Sequence, residues 1–189
     1  MIYSIMILPI VAFGSPILRK KCVEISPDYP ELEILLENMR ETMYEASGVG
    51  LAAPQINKSI RLFFIDTTPF FEEENETLIV KQVFINPRIL KETGEEWNFN
   101  EGCLSIPDIR EDISRKSNIT IEYLDENFKK HIDTYQGIAA RVIQHEYDHI
   151  EGVLFTDRIS PLRKRMIKGK LLDISKGKVN VSYRMRFAK

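Results

Sequence analysis

Hydrophobic side chains recur at steps of three and four residues in two parts of the chain, and this spacing predicts two amphipathic helices. The first covers residues 30–47, where Pro30 lies near the helix start and Gly48 lies just past its end. The second begins near Tyr135 and ends before Gly152. Each helix has one apolar face, so we expect each to pack against a hydrophobic core.

Three short stretches are rich in β-branched and aromatic residues and are bounded by Asn, Asp, Pro or Gly, a pattern typical of β-strands. They are residues 61–67, 83–86 and 119–124. Between the first two, residues 69–77 contain four glutamates, whose mutual repulsion favours an exposed loop.

The chain after Pro161 has a different pattern. It predicts a short basic helix to about Leu172 and a strand over residues 179–187. Because helices and strands do not alternate regularly along the chain, the predicted fold class is α+β and not a doubly wound parallel sheet. At 189 residues the chain is expected to form a single compact domain, with antiparallel or mixed sheets around the second helix.

The composition excludes several classes of protein. Hydrophobic residues make up 43% and charged residues 29%, unlike disordered chains or membrane-spanning proteins. The net charge of −2 gives no reason to expect DNA as a partner. The charge is uneven, however: residues 163–189 contain ten Lys or Arg and one Asp, or +9, which leaves −11 for residues 1–162. Such a basic end favours contact with an RNA surface, and a solvated basic face explains it equally well.

The N-terminal stretch is apolar but lacks the order of a secretory signal. The basic cluster of Arg19, Lys20 and Lys21 follows the apolar residues instead of preceding them. The chain has two cysteines, too few for a disulfide scaffold in a domain of this size. We therefore expect a cytoplasmic protein with no membrane partner.

The strongest chemical signal is the H-E-x-x-H pattern of His145, Glu146 and His149, which lies in the second helix. A four-residue step turns a helix by about 400°, so both imidazoles lie on one face and can bind one metal ion. Glu146 is then placed to act on a metal-bound water. The pattern predicts a catalytic metal site.

The third metal ligand distinguishes the classes that share this pattern. In metzincin proteases it is a His, but Phe155 occupies that position. In thermolysin-like sites it is a downstream Glu, and after Glu151 the only carboxylates are Asp157 and Asp173. We therefore expect an upstream ligand. Cys103 is the best candidate, because a thiolate binds borderline and soft divalent metals strongly.

Residues 48–53 match the G-x-G-x-x-A signature of dinucleotide sites, but the context disfavours a nucleotide. The motif follows a helix instead of a strand, and Pro54 would remove a helical hydrogen-bond donor. Gly48 and Gly50 can instead leave backbone groups free to pair with a peptide-like ligand. Gln55 adds a side-chain amide donor.

Three stretches together resemble the signature motifs of the peptide deformylases, and they are GVGLAAPQ at residues 48–55, EGCLS at 101–105 and QHEYDHIEG at 144–152. The resemblance covers about residues 5–160 and leaves a basic C-terminal segment, residues 161–189. Ile150 stands where Leu is usual, an exchange between two apolar residues. The resemblance implies an enzyme that removes the formyl group from the N-terminal formylmethionine of nascent polypeptides and releases formate.

The resemblance also implies a role for each residue at a motif position. Cys103, His145 and His149 would hold one divalent metal ion, which is Fe(II) in cells and can be replaced by Zn, Ni or Co. Glu146 would move the proton, while the Gln55 side chain and the Leu104 N–H would stabilise the oxyanion. The residues that would contact the substrate backbone, the methionine side chain or the cleft mouth are Gly48, Val49, Gly50, Phe99, Arg110, Ile138 and Val142.

Two other functions remain open at this point. A metallopeptidase could use the same ligands to cleave internal amide bonds. Alternatively, the metal could be structural, with a fourth protein ligand, in a module that binds RNA or the ribosome.

The expected partners are nascent formyl-Met polypeptides and, through the basic C-terminal segment, the ribosome. Glu101 is further expected to form an ion pair with Arg115 that holds the cysteine loop.

Overall fold

The computed structural model describes residues 5–71 and 79–188. The strands are β1 (Ile10–Val11), β2 (Gly50–Ala52), β3 (Leu62–Asp66), β4 (Lys81–Cys103), β5 (Ile106–Leu124), β6 (Lys130–Gln136) and β7 (Met185–Arg186). Strands β2 to β6 form one antiparallel sheet in sequence order, and β1 pairs with β7 in parallel. The helices are α1 (Leu32–Glu45), α2 (Gly137–Ile150) and α3 (Pro161–Ser175). The predicted α+β class, with antiparallel strands around a central helix, is confirmed.

Strand β3, an inner strand of the sheet, is buried on both faces, which explains its apolar run from Leu62 to Ile65. Successive side chains of a strand point to opposite faces. Phe63 packs in the cluster that contains Ile143 of α2, whereas Phe64 packs in the cluster that contains Met39 of α1. The sheet therefore lies between α1 and α2 at this strand, and the packing fixes α2 against the sheet.

Strands β4 and β5 form a long hairpin whose extent the sequence pattern did not predict. The short strands expected at residues 83–86 and 119–124 are only the buried ends of strands with 23 and 19 residues. The outer part of β4 is mostly exposed, and several register shifts interrupt its pairing with β5. Alternation of apolar and polar residues is therefore weak there. The two predicted segments are strands, as expected, but their length was underestimated. The hairpin turn lies next to Cys103.

Several predicted boundaries need correction. The second helix begins at Gly137 and not near Tyr135, because the preceding residues belong to β6 and Gly137 turns the chain with φ of 56°. In the tail, α3 continues to Ser175, while the predicted strand over residues 179–187 is reduced to β7. The predicted loop at 69–77 lies mostly outside the described residues. Among the helices of residues 5–71 and 79–188, none is long and apolar enough to span a membrane.

Candidate metal centre and substrate cleft

Three side chains with metal-binding atoms converge at the inner face of α2. His145 and His149 lie one turn apart on the helix, and Cys103 ends β4 beside them. Their ligand atoms all lie within 4.8 Å of one another, and the Cys103 Sγ is 3.2 Å from the Nε2 of His149. The structure thus brings together the two histidines of the helix motif and the cysteine expected from upstream.

The residues present fit a divalent metal ion. One thiolate and two imidazoles suit borderline metals such as Zn and Fe(II). Burial, with the nearby positive charges of His145 and Arg115, lowers the pKa of His149 well below its ordinary value. The neutral ring is the form that binds a metal. Among the described residues, no fourth His, Cys, Asp or Glu joins the three.

Glu146 lies in the same cleft with a free carboxylate oxygen. Its side chain is buried, yet Oε2 has no hydrogen-bond partner within the described part of the chain. Burial raises the pKa of Glu146 to about 7, so the group can exchange a proton near neutral pH. Its neighbour is Gly50 of β2, where an added Cβ would lie 2.7 Å from the Glu146 Cδ. A glycine is therefore needed for the close approach of β2 to the carboxylate.

A buried carboxylate orients one of the two histidines. Glu101 lies 2.9 Å from Nδ1 of His145, which leaves Nε2 of that ring to face Cys103. Arg115 donates two hydrogen bonds to Glu101, at 2.7 and 2.9 Å, so the predicted ion pair is confirmed. Burial alone would raise the pKa of Glu101, but the hydrogen bonds with Arg115 and His145 hold it well below its usual range. The carboxylate therefore stays charged and fixes the ring.

The ion pair extends to residues that the sequence did not indicate. Arg115 also donates to Asp148 at 2.7 Å, and Arg158 donates to the same carboxylate at 2.6 Å. Arg141, also buried, donates to Glu101 at 3.0 Å. Asp148 belongs to the helix motif, but its arginine partners come from a strand and from the segment after α2. No local pattern in the sequence relates them.

The side-chain amide of Gln55 has a defined orientation. The Ala52 N–H donates to Oε1 of Gln55 at 2.8 Å, and an N–H can only be satisfied by the oxygen end of the amide. The NH₂ end therefore faces residues 103–105 at the junction of β4 and β5, the cysteine turn, and lies 3.5 Å from the Cys103 Sγ and 3.3 Å from the Ser105 Oγ. Leu104, in the same turn, also lines the cleft. The two expected oxyanion donors thus lie beside Cys103.

A cleft of about 660 Å³ opens over these groups. Six of the seven residues expected to contact the substrate line it, and they are Gly48, Val49, Gly50, Phe99, Arg110 and Val142. The seventh, Ile138, does not line the cleft. It is partly buried and packs against the core cluster of Phe63 and Ile143. Arg110 is exposed and donates to the Asn100 side chain at 2.8 Å.

The C-terminal segment contributes four cleft residues that sequence reasoning missed, and they are Asn180, Val181, Ser182 and Tyr183. The Tyr183 hydroxyl donates to the carbonyl oxygen of Leu104 at 2.8 Å. Burial, with charge on Cys103 and Asp108, raises the pKa of Tyr183, which keeps the hydroxyl protonated. The alternating apolar residues of the tail indicated only a strand and gave no signal of a cleft.

Comparisons with known proteins agree on one family. The model of the family "Polypeptide deformylase" matches residues 7–165. A peptide deformylase from Christiangramia forsetii is 60% identical over 189 aligned positions, which cover 96% of each chain. The crystal structure of a peptide deformylase from Legionella pneumophila is 36% identical, with a TM-score of 0.80, and the match covers 92% of this chain and 98% of that one. A class I type b peptide deformylase from Acinetobacter baumannii, solved with Met-Ala-Ser bound, is 32% identical, with a TM-score of 0.74 and coverage of 82% and 100%.

Proposed function

The chain belongs to the peptide deformylase family, and on this premise we propose that Cys103, His145 and His149 hold one divalent metal ion per chain. The enzyme is a metal-dependent hydrolase that removes the N-formyl group from the N-terminal formylmethionine of nascent polypeptides and releases formate. The observation that carries the residue assignment is the convergence of the three donors beside the buried Glu146 in one cleft. Fe(II) is the proposed metal in cells, with Zn, Ni or Co as replacements, because all four suit a thiolate and two imidazoles.

When bound, the metal supplies Lewis acidity, which makes water a stronger nucleophile and polarises the formyl oxygen. Glu146 accepts the proton of the attacking water. It then delivers this proton to the departing amine nitrogen, so that the C–N bond breaks and formate leaves with a free N-terminal amine. The unpartnered Oε2 and the pKa of about 7 support this role, because the carboxyl group is free to exchange a proton near neutral pH.

Two donors stabilise the negative charge that develops on the formyl oxygen. The Gln55 amide is held with its NH₂ end toward the cysteine turn by the Ala52 N–H. The backbone N–H of Leu104 belongs to the same turn. Because both donors are held by the fold before substrate binds, they need no reorganisation during the reaction.

The substrate backbone binds along the edge of the sheet. Strand β2 is the outermost strand on one side, and Gly48, Val49 and Gly50 leave this edge open toward the cleft. A peptide paired there is directed toward Glu146, which is in contact with Gly50. Phe99 and Val142 supply apolar surface for the methionine side chain, while the exposed Arg110 lies where the rest of the peptide leaves.

The basic C-terminal segment brings the enzyme to its substrate at the ribosome. Helix α3 exposes Lys164, Arg165, Lys168 and Lys170, and cationic side chains bind RNA phosphates with a strong dependence on salt. Because nascent chains emerge from ribosomes in the cytoplasm, we place the enzyme there.

Reversal of charge at Arg165, Lys168 and Lys170 should weaken cosedimentation with ribosomes at about 50 mM salt. The same reversal at the exposed Lys58, Lys91 and Lys129 is the control, and equal binding by both variants would refute the assignment.

The deciding experiment for the activity uses formyl-Met-Ala-Ser and protein loaded with Fe(II) or Ni(II). Deformylation leaves Met-Ala-Ser, the peptide bound in the Acinetobacter baumannii structure. We expect one formate for each peptide consumed and no cleavage of internal amide bonds. Internal cleavage without formate would instead identify a metallopeptidase, which the family match does not favour.

A further inference from the structure

The C-terminal segment forms part of the cleft although it is distant in sequence from the metal ligands. Residues 180–183 line the cleft together with Cys103, His145 and Glu146. The family model ends its match at residue 165, so this part of the cleft lies outside the matched residues. The motifs that identify the family therefore say nothing about these four residues.

One hydrogen bond joins the segment to the turn that carries the ligand cysteine. The Tyr183 hydroxyl donates to the Leu104 carbonyl at 2.8 Å. Both side chains pack against the hydrophobic cluster that contains Met39 of α1. Leu104 directly follows Cys103 and is one of two residues between β4 and β5. A hydrogen bond to its carbonyl restrains the peptide plane after Leu104. It thereby restrains the turn that positions the Leu104 N–H and the Cys103 sulfur.

The segment is held in place from its C-terminal side. The Ile10 N–H donates to the Arg184 carbonyl at 2.8 Å, and the Ala12 N–H donates to the Arg186 carbonyl at 2.9 Å. The next N–H, of Phe13, donates to the Ser105 carbonyl at 2.8 Å. One extended stretch, residues 10–13, thus binds both the tail and the cysteine turn, so the two are fixed relative to each other.

We propose that residues 180–183 are a wall of the substrate cleft and that Tyr183 is a positioning residue for the Cys103–Leu104 turn. Asn180 and Ser182 are exposed and offer polar side chains to the part of the peptide that follows formylmethionine. This inference rests on the proposed function, because it assigns to the tail a part in positioning and binding for the same reaction.

The first test removes only the hydroxyl. Tyr183→Phe keeps the ring in the core, and Tyr29→Phe is the matched control, since Tyr29 packs against the same cluster but does not line the cleft. For formyl-Met-Ala-Ser we expect Tyr183→Phe to lower kcat about 3- to 10-fold, the usual effect of one lost hydrogen bond. KM and the metal content should stay close to those of the wild type, and the melting temperature should fall by only about 2–4 °C. A kcat equal to that of Tyr29→Phe would overturn the positioning role.

The second test concerns the wall and uses an exposed position, so that folding is not at risk. Ser182→Trp adds bulk at the cleft, while Lys176→Trp adds it to an exposed position outside the cleft. We expect Ser182→Trp to raise KM for formyl-Met-Ala-Ser several-fold and to change KM for formyl-Met much less. An equal change in KM for both substrates, or no change in either, would contradict the proposal that residues 180–183 form a wall of the cleft. Failure of the wild type to release formate would refute the proposed function itself, whereas an active wild type with unaffected variants would refute only this inference.

Discussion

Glu101 holds His145 through Nδ1 at 2.9 Å, while two arginines neutralise the same buried carboxylate. The histidine ring is therefore fixed before any metal binds, and its remaining nitrogen faces the Cys103 sulfur. A carboxylate behind a metal-binding histidine also raises the basicity of the ring.

Replacing this carboxylate should weaken metal binding and the fold together. Glu101→Gln removes the charge, so Arg141 loses its carboxylate partner and Arg115 keeps only Asp148. We expect metal affinity to fall about 10- to 100-fold. The free energy of unfolding should fall by about 3 kcal/mol, as when one partner of a buried ion pair is removed.

Metal titration and urea unfolding measure the two effects of Glu101→Gln. Glu96→Gln is the control, because Glu96 is exposed and pairs only loosely with Lys116, at 3.5 Å. If the two variants bind metal equally well, the proposed support of His145 by Glu101 is wrong.

Loss of the Gln55 amide should reduce turnover without releasing metal. Gln55→Ala removes a donor held toward the cysteine turn, and a single oxyanion donor typically contributes about 10²- to 10³-fold to the rate. Steady-state kinetics should show this loss in kcat, with metal content unchanged. Gln82→Ala, on β4 and outside the cleft, should behave as the wild type. A kcat within a factor of about two of wild type would exclude the donor role.

Gly50 should tolerate no side chain, although alanine is the smallest change. The new Cβ would press on the Glu146 carboxylate, and a displacement of about 1 Å in a catalytic group can cost about 10²-fold in rate. Gly169→Ala is the matched control, because the same added Cβ at this position of α3 meets nothing within 4 Å. Comparison of kcat/KM for the two variants tests the contact. Similar values would mean that β2 does not approach Glu146 as described.

Because of Asp66, at the end of β3, the free energy of unfolding should decrease as the pH becomes acidic. Burial alone would raise the pKa of Asp66, but hydrogen bonds with Thr68 and Tyr44 and the charge of Lys81 outweigh it and lower the pKa. A lowered pKa in the folded state stabilises the protein fully above the unfolded value of about 3.8, and this contribution is lost as pH falls below it.

Urea unfolding at neutral pH and near pH 3 tests the role of Asp66. Asp66→Asn should lose stability at neutral pH and show a smaller further loss on acidification than the wild type. Asp173→Asn, at an exposed position of α3, should follow the wild type at both values. Identical acid sensitivity in Asp66→Asn and the wild type would contradict the prediction.

The candidate metal ligands could be predicted from the sequence better than the strands that position them. His145 and His149 could be related because a helix has a fixed period, and Cys103 followed from the absence of a suitable downstream ligand. The full length of the hairpin that carries Cys103 could not be predicted, because much of β4 is exposed and register shifts interrupt its pairing with β5.

Long-range contacts explain the remaining omissions. Tyr183 and Leu104 are 79 residues apart, and their contact depends on how β7 pairs with β1. The two parallel strands contain only two residues each, too few to produce a recognisable pattern.

Ile138 was assigned to the cleft by its motif position, whereas the actual start of α2 places it against the core.

The most direct test of the account compares formate release and metal content in the wild type and in Glu146→Gln. Cys103, His145 and His149 remain in the variant, so we predict an unchanged content of about one metal ion per chain. Formate release from formyl-Met-Ala-Ser should fall by about 10²- to 10⁴-fold, the usual contribution of a positioned acid or base. Retention of wild-type turnover by the metal-loaded variant would contradict the account, because the proton would then be moved without Glu146.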